Sequence, residues 1–152
     1  MYKLKSEIIG QIQHYHEQVF ELYSGLYRKI KDPKVKILLK ELCSQEKQRE
    51  KYLEKHKNIA IVKDCWLAYP PNTMSNQISD CLKNVDTKEN ISLNELAKIE
   101  LHFDECLYKL YEKLAIEEKS KRSLSNVFSY MMKRTKQHER NLSKDVNWLY
   151  DL

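Results

Sequence analysis

The sequence is poor in the two residues that most often interrupt helices. Its 152 residues include 2 glycines and 3 prolines. Turn-rich β folds rely on both residues to reverse the chain, so their scarcity argues against such folds. The composition is instead rich in Leu, Lys and Glu, with 32% charged residues, and this suits long helices. We therefore expect an all-α protein.

Long apolar runs are also missing. No stretch approaches the roughly 20 apolar residues that a membrane span requires. The segment from Met1 to Gly10 alternates charged and apolar positions, unlike the core of a signal peptide. These features predict a cytoplasmic protein with no membrane partner.

The positive charge is not concentrated in one block. The formal net charge of +5 arises from lysines that are spread over the whole chain and mixed with acidic residues. Such mixing is typical of a solvated surface, whereas nucleic-acid binding usually needs a basic stripe with interleaved aromatic residues. We therefore expect no nucleic-acid partner.

The cysteines lack the close spacing of a zinc or redox motif. Cys43, Cys65, Cys81 and Cys106 form no CxxC pair. A helical domain of 18.3 kDa can bury a core large enough to fold without disulfides. The expected state is therefore free thiols in a reducing compartment.

Residues that typically begin helices divide the chain into helical segments. Asp32-Pro33 combines an N-cap with a proline at the first helical position, so helices over about 3–31 and 33–57 should form an antiparallel hairpin. Ser92 is a second N-cap, with Ile91 and Leu96 placed to contact each other across it. It begins a third helix that should end near residue 118.

A fourth helix should follow a turn near Ser120 or Ser123 and reach the C-terminus. The connection between the hairpins, about 58–91, holds Tyr69-Pro70-Pro71 and a short amphipathic segment near Met74 to Val85. A connection of that length usually crosses a bundle. The sequence predicts one domain, residues 1–152, built as an antiparallel four-helix bundle of two hairpins joined by a crossover with a short helix.

Each predicted helix carries an apolar stripe, with spacings of three and four, that turns polar near its middle. The polar stripe positions, in chain order, are Gln13, His16, Glu46, Arg49, Glu100, Thr135 and His138. Antiparallel packing would bring them to one level in the core. The segment after Glu46 also matches the segment after Thr135, as expected of a duplicated hairpin.

This pattern resembles the rubrerythrin-like branch of the ferritin-like family. Such bundles hold two metal ions, iron or manganese, through one Glu on each of two helices and a Glu-x-x-His pair on each of the others. The resemblance places the single-Glu positions on Gln13 and Glu100, and the pairs on Glu46 with Arg49 and Thr135 with His138. It implies Glu46, Glu100 and His138 as surviving ligands, with Gln13, Arg49 and Thr135 as substituted positions.

Arg49 separates two hypotheses about function. A guanidinium carries a permanent charge that opposes a metal, and it can bridge Glu46 and Glu100 while Gln13, Thr135 and His138 complete the hydrogen bonds. The first hypothesis is a non-catalytic structural or interaction protein without a cofactor, which can form a homodimer through a helix face. The second is an oxidoreductase that binds iron or manganese through Glu46, Glu100 and His138 and acts on oxygen or peroxide. Whether the protein is an enzyme stays open, as does a third role in binding a small ligand.

Other residues near the stripes have ordinary interpretations. We expect His16 to be a histidine at the core edge, and Glu17 and Asp104 to lie at helix interfaces beside the core. Tyr23 and Tyr27 fall on the stripe of the first helix and should pack in the core with their hydroxyls at its rim.

Overall fold

The computed structural model describes residues 2–57, 66–68, 73–83, 85, 87–120 and 127–152, and most of them are helical. The helices are α1 (Lys5–Lys29), α2 (Pro33–Lys57), α3 (Thr73–Leu82), α4 (Leu93–Ser120) and α5 (Val127–Tyr150). The helical bundle predicted from the sequence is confirmed, and α2 has its predicted bounds. Within the described ranges, no helix combines the length and the apolar character needed to cross a membrane.

Both predicted N-caps are formed. The backbone amide of Lys34 donates to Oδ1 of Asp32 at 3.0 Å, and Pro33 has no amide proton that would need a partner. The amide of Glu95 donates to Oγ of Ser92 at 3.1 Å. These caps place the starts of α2 and α4, and they thereby set which residues reach the middle of each helix.

Side-chain contacts show that α1 and α2 form an antiparallel hairpin. His16 contacts Glu46, whereas Ser24, farther along α1, contacts the earlier residue Cys43. The hairpin of α4 and α5 follows the same rule, because Asp104 contacts His138 and the later residue Tyr108 contacts Lys136.

The two hairpins also meet through antiparallel helix pairs. Tyr23 of α1 reaches Glu100 near the start of α4, while His16 reaches Tyr111 farther along it. In the other pair, α2 with α5, Arg49 contacts His138 and Tyr52 contacts Tyr130. Helices α1 and α5 therefore run in one direction and α2 and α4 in the other, so the connection from α2 to α4 traverses the length of the bundle.

Two short strands were not expected. β1 (Tyr2–Leu4) pairs antiparallel with β2 (Trp66–Ala68) in the crossover. The prediction of helix from residue 3 is therefore wrong at the first two positions, because the strand partner is distant in sequence and local periodicity does not reveal it. Tyr69-Pro70-Pro71, Cys65 and Ser123 lie outside the described residues. Ser120, the other position predicted for the turn, is the last residue of α4.

The crossover helix α3 is joined to α4 by a disulfide. Cys81 and Cys106 are bonded, with their Cα atoms 6.0 Å apart. Close by, Nε2 of His102 donates to the backbone oxygen of Cys81 at 2.9 Å. The expectation of free thiols is wrong for these two cysteines, because α3 folds back onto α4, while Cys43 is a free thiol as expected.

This linkage predicts a cross-linked peptide pair. A proteolytic digest of unreduced protein should contain the Cys81 and Cys106 peptides as one species, and reduction should separate them. The variant Cys43→Ser serves as a control and should give the same linked pair. Alkylation of both Cys81 and Cys106 in unreduced, denatured protein would contradict the pairing.

The buried residues follow the predicted stripes in α2 and α4, but α1 departs from its stripe. Val19 and Leu26 are buried in α1, whereas Phe20 is half-buried and Tyr27 is 38% exposed. The prediction that Tyr27 packs in the core is wrong. The buried face of α1 is wider than one stripe because it contacts both α2 and α4.

Candidate functional site

Six ionisable side chains from the four long helices meet at the centre of the bundle. We call them the central cluster: His16 from α1, Glu46 and Arg49 from α2, Glu100 and Asp104 from α4, and His138 from α5. Each is at least nine-tenths buried; His138 is the most exposed, at 10%. Apart from Gln13 and Thr135, the rest of the described core is hydrophobic.

Arg49 lies between the carboxylates of the cluster. Its Nη1 donates to Oδ1 of Asp104 at 3.0 Å and to Oε1 of Glu46 at 3.3 Å. The same nitrogen lies 4.0 Å from Oε1 of Glu100. Burial alone would lower the pKa of Arg49, but the charges of Asp104, Glu46 and Glu100 outweigh it and raise that pKa above its ordinary value. The guanidinium is therefore a fixed internal cation.

Asp104 is the closest carboxylate partner of Arg49, so its predicted place at the edge of an interface is wrong. It is fully buried, and its Oδ2 lies 2.7 Å from Nδ1 of His138. Burial would raise its pKa, but the charge of Arg49 and the contacts with His138 hold that pKa below its usual value. A signal was present, since Asp104 is four residues from Glu100 and so shares its helix face.

Glu100 has a different environment, although it belongs to the same cluster. One carboxyl oxygen, Oε2, accepts a hydrogen bond from the Tyr23 hydroxyl. The other, Oε1, is buried and has no hydrogen-bond partner among the described residues. Burial, and then the charges of Asp104 and Glu46, raise the pKa of Glu100 well above its usual value. This environment favours a protonated, neutral carboxyl group.

His16 belongs to the cluster, so its predicted place at the core edge is wrong. Its Nδ1 lies 2.5 Å from Oε2 of Glu46, and its Nε2 lies 2.9 Å from the Tyr111 hydroxyl. Burial raises the pKa of Tyr111, which keeps the hydroxyl protonated. Oε2 of Glu46 therefore has a hydrogen-bond partner in His16 of α1, while Oε1 of Glu46 accepts from Arg49.

Two residues predicted to complete the cluster lie outside it. Gln13 donates through Nε2 to Oε2 of Glu54 at 2.5 Å, because the register of α1 on α2 places it beyond Glu46, beside Glu50 and Glu54. Thr135 is buried, but its hydroxyl donates to the backbone oxygen of Met131 at 2.9 Å within α5. Neither side chain therefore contributes to the centre.

One ring nitrogen of His138 has two neighbours whose hydrogen-bonding requirements are incompatible. Its Nδ1 lies 2.7 Å from Nη2 of Arg49 and 2.7 Å from Oδ2 of Asp104. A guanidinium only donates and an ionised carboxylate only accepts, so one ring nitrogen satisfies one of these neighbours and not both. The cluster therefore holds one polar contact that is left unsatisfied.

The donor atoms allow a test of whether a metal fits. Glu100, Asp104 and His138 offer ligand atoms that lie within 4.8 Å of one another. Carboxylates and imidazole suit iron, manganese or zinc. Arg49 occupies the same space, however, since it contacts Asp104 and His138 directly. The residues do not fit a two-metal centre, and a single cation fits only if the guanidinium moves out.

A pocket on the surface leads to this cluster. It lies between α2 and α5 and has a volume of about 320 Å³. Arg49 and His138 of the central cluster line this pocket, together with Glu41, Gln45, Gln48, Tyr52, Tyr130, Met131, Arg134, Gln137 and Asn141. The cluster can therefore be approached from solvent on the side of α2 and α5.

Comparison of the chain with protein-family models, curated proteins and solved structures gives no match. Any inference about function therefore depends on the residues and their geometry.

Proposed function

We propose that this chain is a ferritin-like bundle with a degenerate diiron site and a non-catalytic structural or interaction role. The observation that carries the proposal is the buried guanidinium of Arg49, which lies 3.3 Å from Glu46 and 3.0 Å from Asp104. It supplies the positive charge that metal ions supply in the family. The cytoplasmic location and the absence of a nucleic-acid partner stay predictions from composition.

The order of the helices supports the family assignment. Bundles of the ferritin-like kind consist of two antiparallel hairpins joined by one long crossover. Here α1 and α5 run in one direction, α2 and α4 run in the other, and the crossover from α2 to α4 includes α3. The resemblance of the polar positions to a diiron site thus has a matching topology.

The electrostatics of the cluster support a metal-free centre. An unpaired buried charge costs several kcal/mol, so each carboxylate needs compensation. Asp104 and Glu46 both contact the cation of Arg49, Glu46 also contacts His16, and the environment of Glu100 favours the neutral acid. Each ionised carboxylate therefore has an ionic or hydrogen-bonding partner within the protein, and no reaction is needed to explain the cluster.

Metal analysis of two variants tests the proposal. Protein purified without chelators should contain less than about 0.1 equivalent of iron, manganese or zinc. The change Arg49→His removes the competing cation and restores a Glu-x-x-His pair with Glu46, so about one equivalent or more should bind. The control Arg140→His alters an exposed arginine of α5 and should bind none. About one equivalent in the unmodified protein would overturn the proposal.

A second candidate function follows from the orphaned oxygen of Glu100. This oxygen, Oε1, lies 3.5 Å from Nδ1 of His138 and has no hydrogen-bond partner among the described residues. With Asp104 it could hold a single ion if Arg49 turned into the adjoining pocket. Bound iron or manganese would supply redox chemistry towards oxygen or peroxide. In this case the unmodified protein binds one equivalent, Asp104→Asn abolishes binding, and the chain is an oxidoreductase with a reduced site.

A further inference from the structure

The outer side of α2 and α5 forms a continuous surface that extends beyond the pocket. On α2 the pocket wall runs from Glu41 to Tyr52, and Ile37 lies one turn before it. On α5 the wall runs from Tyr130 to Asn141, and the spacings of four and three continue to Asp145 and Trp148. Residues at these spacings share one helix side. We call this surface the α2–α5 face.

Large apolar side chains lie at both ends of this face and are exposed. Ile37 and Trp148 mark one end, with exposed fractions of 47% and 60%. At the other end Tyr130 is 43% exposed, and its ring stacks on Tyr52 with the centroids 4.4 Å apart. About 22 Å separates the two ends along α2, at 1.5 Å per residue.

The charges of the face are also arranged by position. Asp145 and Glu41 lie near each other at one level, and partial burial followed by the charge of Glu41 raises the pKa of Asp145. Arg134 lies nearer the opposite end, in the pocket wall. Across the described ranges, none of these three residues forms an ion pair within the chain. Between them, the pocket wall is rich in uncharged amides, including Gln45, Gln48, Gln137 and Asn141.

We propose that the α2–α5 face binds a second copy of this chain across a twofold axis. The axis lies in the plane of the interface, perpendicular to the helices, at the level of Gln45. In this arrangement α5 packs antiparallel on α5 of the second copy. Trp148 then meets Tyr130 of the second copy, and Asp145 meets its Arg134.

The same twofold rotation also pairs α2 with α2 of the second copy. When α2 packs antiparallel on α2 of the second copy, Ile37 meets Tyr52, and Glu41 meets the amide of Gln48. The matching level on α5 lies between Gln137 and Asn141, since the antiparallel contacts of Arg49 with His138 and of Tyr52 with Tyr130 place Gln45 opposite positions about 142 and 137. Every pairing occurs twice because a twofold interface uses the same patch on both subunits.

The other twofold arrangement is disfavoured by charge. A twofold axis parallel to the helices would pack α5 on α2 of the second copy without changing the height of any residue. Asp145 would then face Glu41 of the second copy. Like charges in an interface cost several kcal/mol. The antiparallel arrangement instead gives each Asp145 an oppositely charged partner, and it pairs the aromatic ends.

The interface approaches the size of a specific dimer when it extends over the full length of α2 and α5, beyond the roughly 22 Å between the two ends of the face. Two adjacent helices of about 24 residues, each about 10 Å across, offer about 700 Å². Stable interfaces bury about 800 Å² on each partner. Pairing would also cover the mouth of the pocket and exclude water from Arg49 and His138. It would do so whether or not the cluster holds a metal, so the dimer does not depend on the proposed function.

A charge swap tests this dimer. Sedimentation equilibrium should show a dimer of the full chain, and Arg134→Asp or Asp145→Arg should each weaken dimerisation by about 100-fold, because both copies of the ion pair are lost. The double variant should return to within about tenfold of the original affinity. Lys113→Glu, on the exposed side of α4, is the control and should leave the dimer unchanged.

A cross-link provides a second measurement if the double variant folds poorly. Gln45→Cys places a thiol beside the axis, next to the same thiol of the second copy, so mild oxidation should give a covalent dimer. Lys113→Cys should give none. A monomer at every concentration, a dimer that Arg134→Asp leaves intact, or equal cross-linking at both positions overturns the proposal.

Discussion

Replacing Arg49 with methionine is expected to lower the free energy of unfolding by about 4 kcal/mol at pH 7, because it removes one partner of a buried ion pair. Methionine fills a similar length with apolar atoms, so the change mainly removes charge and hydrogen bonds. Asp104 and Glu46 would then be buried without the cation that they contact at 3.0 and 3.3 Å. Urea unfolding followed by circular dichroism measures the loss.

The loss should depend on pH with a definite sign. In the unmodified protein the lowered pKa of Asp104 contributes stability that is present above about pH 4 and is lost as the pH falls through the folded-state pKa. Without Arg49 this contribution disappears, so the variant and the unmodified protein should converge in acid. The control Arg140→Met, at an exposed position, should change stability by less than about 0.5 kcal/mol. A loss below about 1 kcal/mol for Arg49→Met at pH 7 would show that Arg49 is not the counterion.

The parts of the fold that depend on local chemistry could be predicted from the sequence. Asp32-Pro33 determines the start of α2 through a cap and a fixed φ angle, and both act over one turn. The level of the polar layer along the helices could also be predicted, because Glu46, Arg49 and Glu100 interrupt otherwise apolar stripes. Their meeting in the structure needed only antiparallel packing of helices with similar lengths.

The errors concern rotation and register, which depend on contacts between distant segments. Asp104 lies beside the predicted stripe of α4, next to Phe103, and the rotation of the helix decides whether such a residue faces the core or its edge. Gln13 was predicted to lie at the centre, but the register of α1 on α2 places it beyond Glu46, where it contacts Glu54. The Cys81–Cys106 bond depends on the path of the crossover, about which helical periodicity holds no information.

Substitutions of the two buried carboxyl groups of α4, Asp104 and Glu100, are expected to differ in their effect on stability. Asp104→Asn is expected to lower the free energy of unfolding by about 3 kcal/mol at pH 7, because Arg49 loses its closest anion and His138 loses an ionised partner. Glu100→Gln should cost less than about 1 kcal/mol, since the amide resembles the neutral acid and its oxygen can still accept from Tyr23. Each variant is the control for the other, because both remove one carboxyl from the same helix face.

The pH profiles of the two variants should run in opposite directions. The raised pKa of Glu100 contributes stability that is present below about pH 4 and is lost as the pH rises towards the folded-state pKa, so Glu100→Gln should gain relative to the unmodified protein over that rise. Asp104→Asn should lose relative to it, because the lowered pKa of Asp104 stabilises the fold only while the group is ionised. Urea unfolding at a series of pH values distinguishes the two cases. Equal losses in both variants at pH 7 would mean that Glu100 is ionised, and the cluster would then hold three ionised carboxylates beside the single guanidinium of Arg49, as a metal site requires.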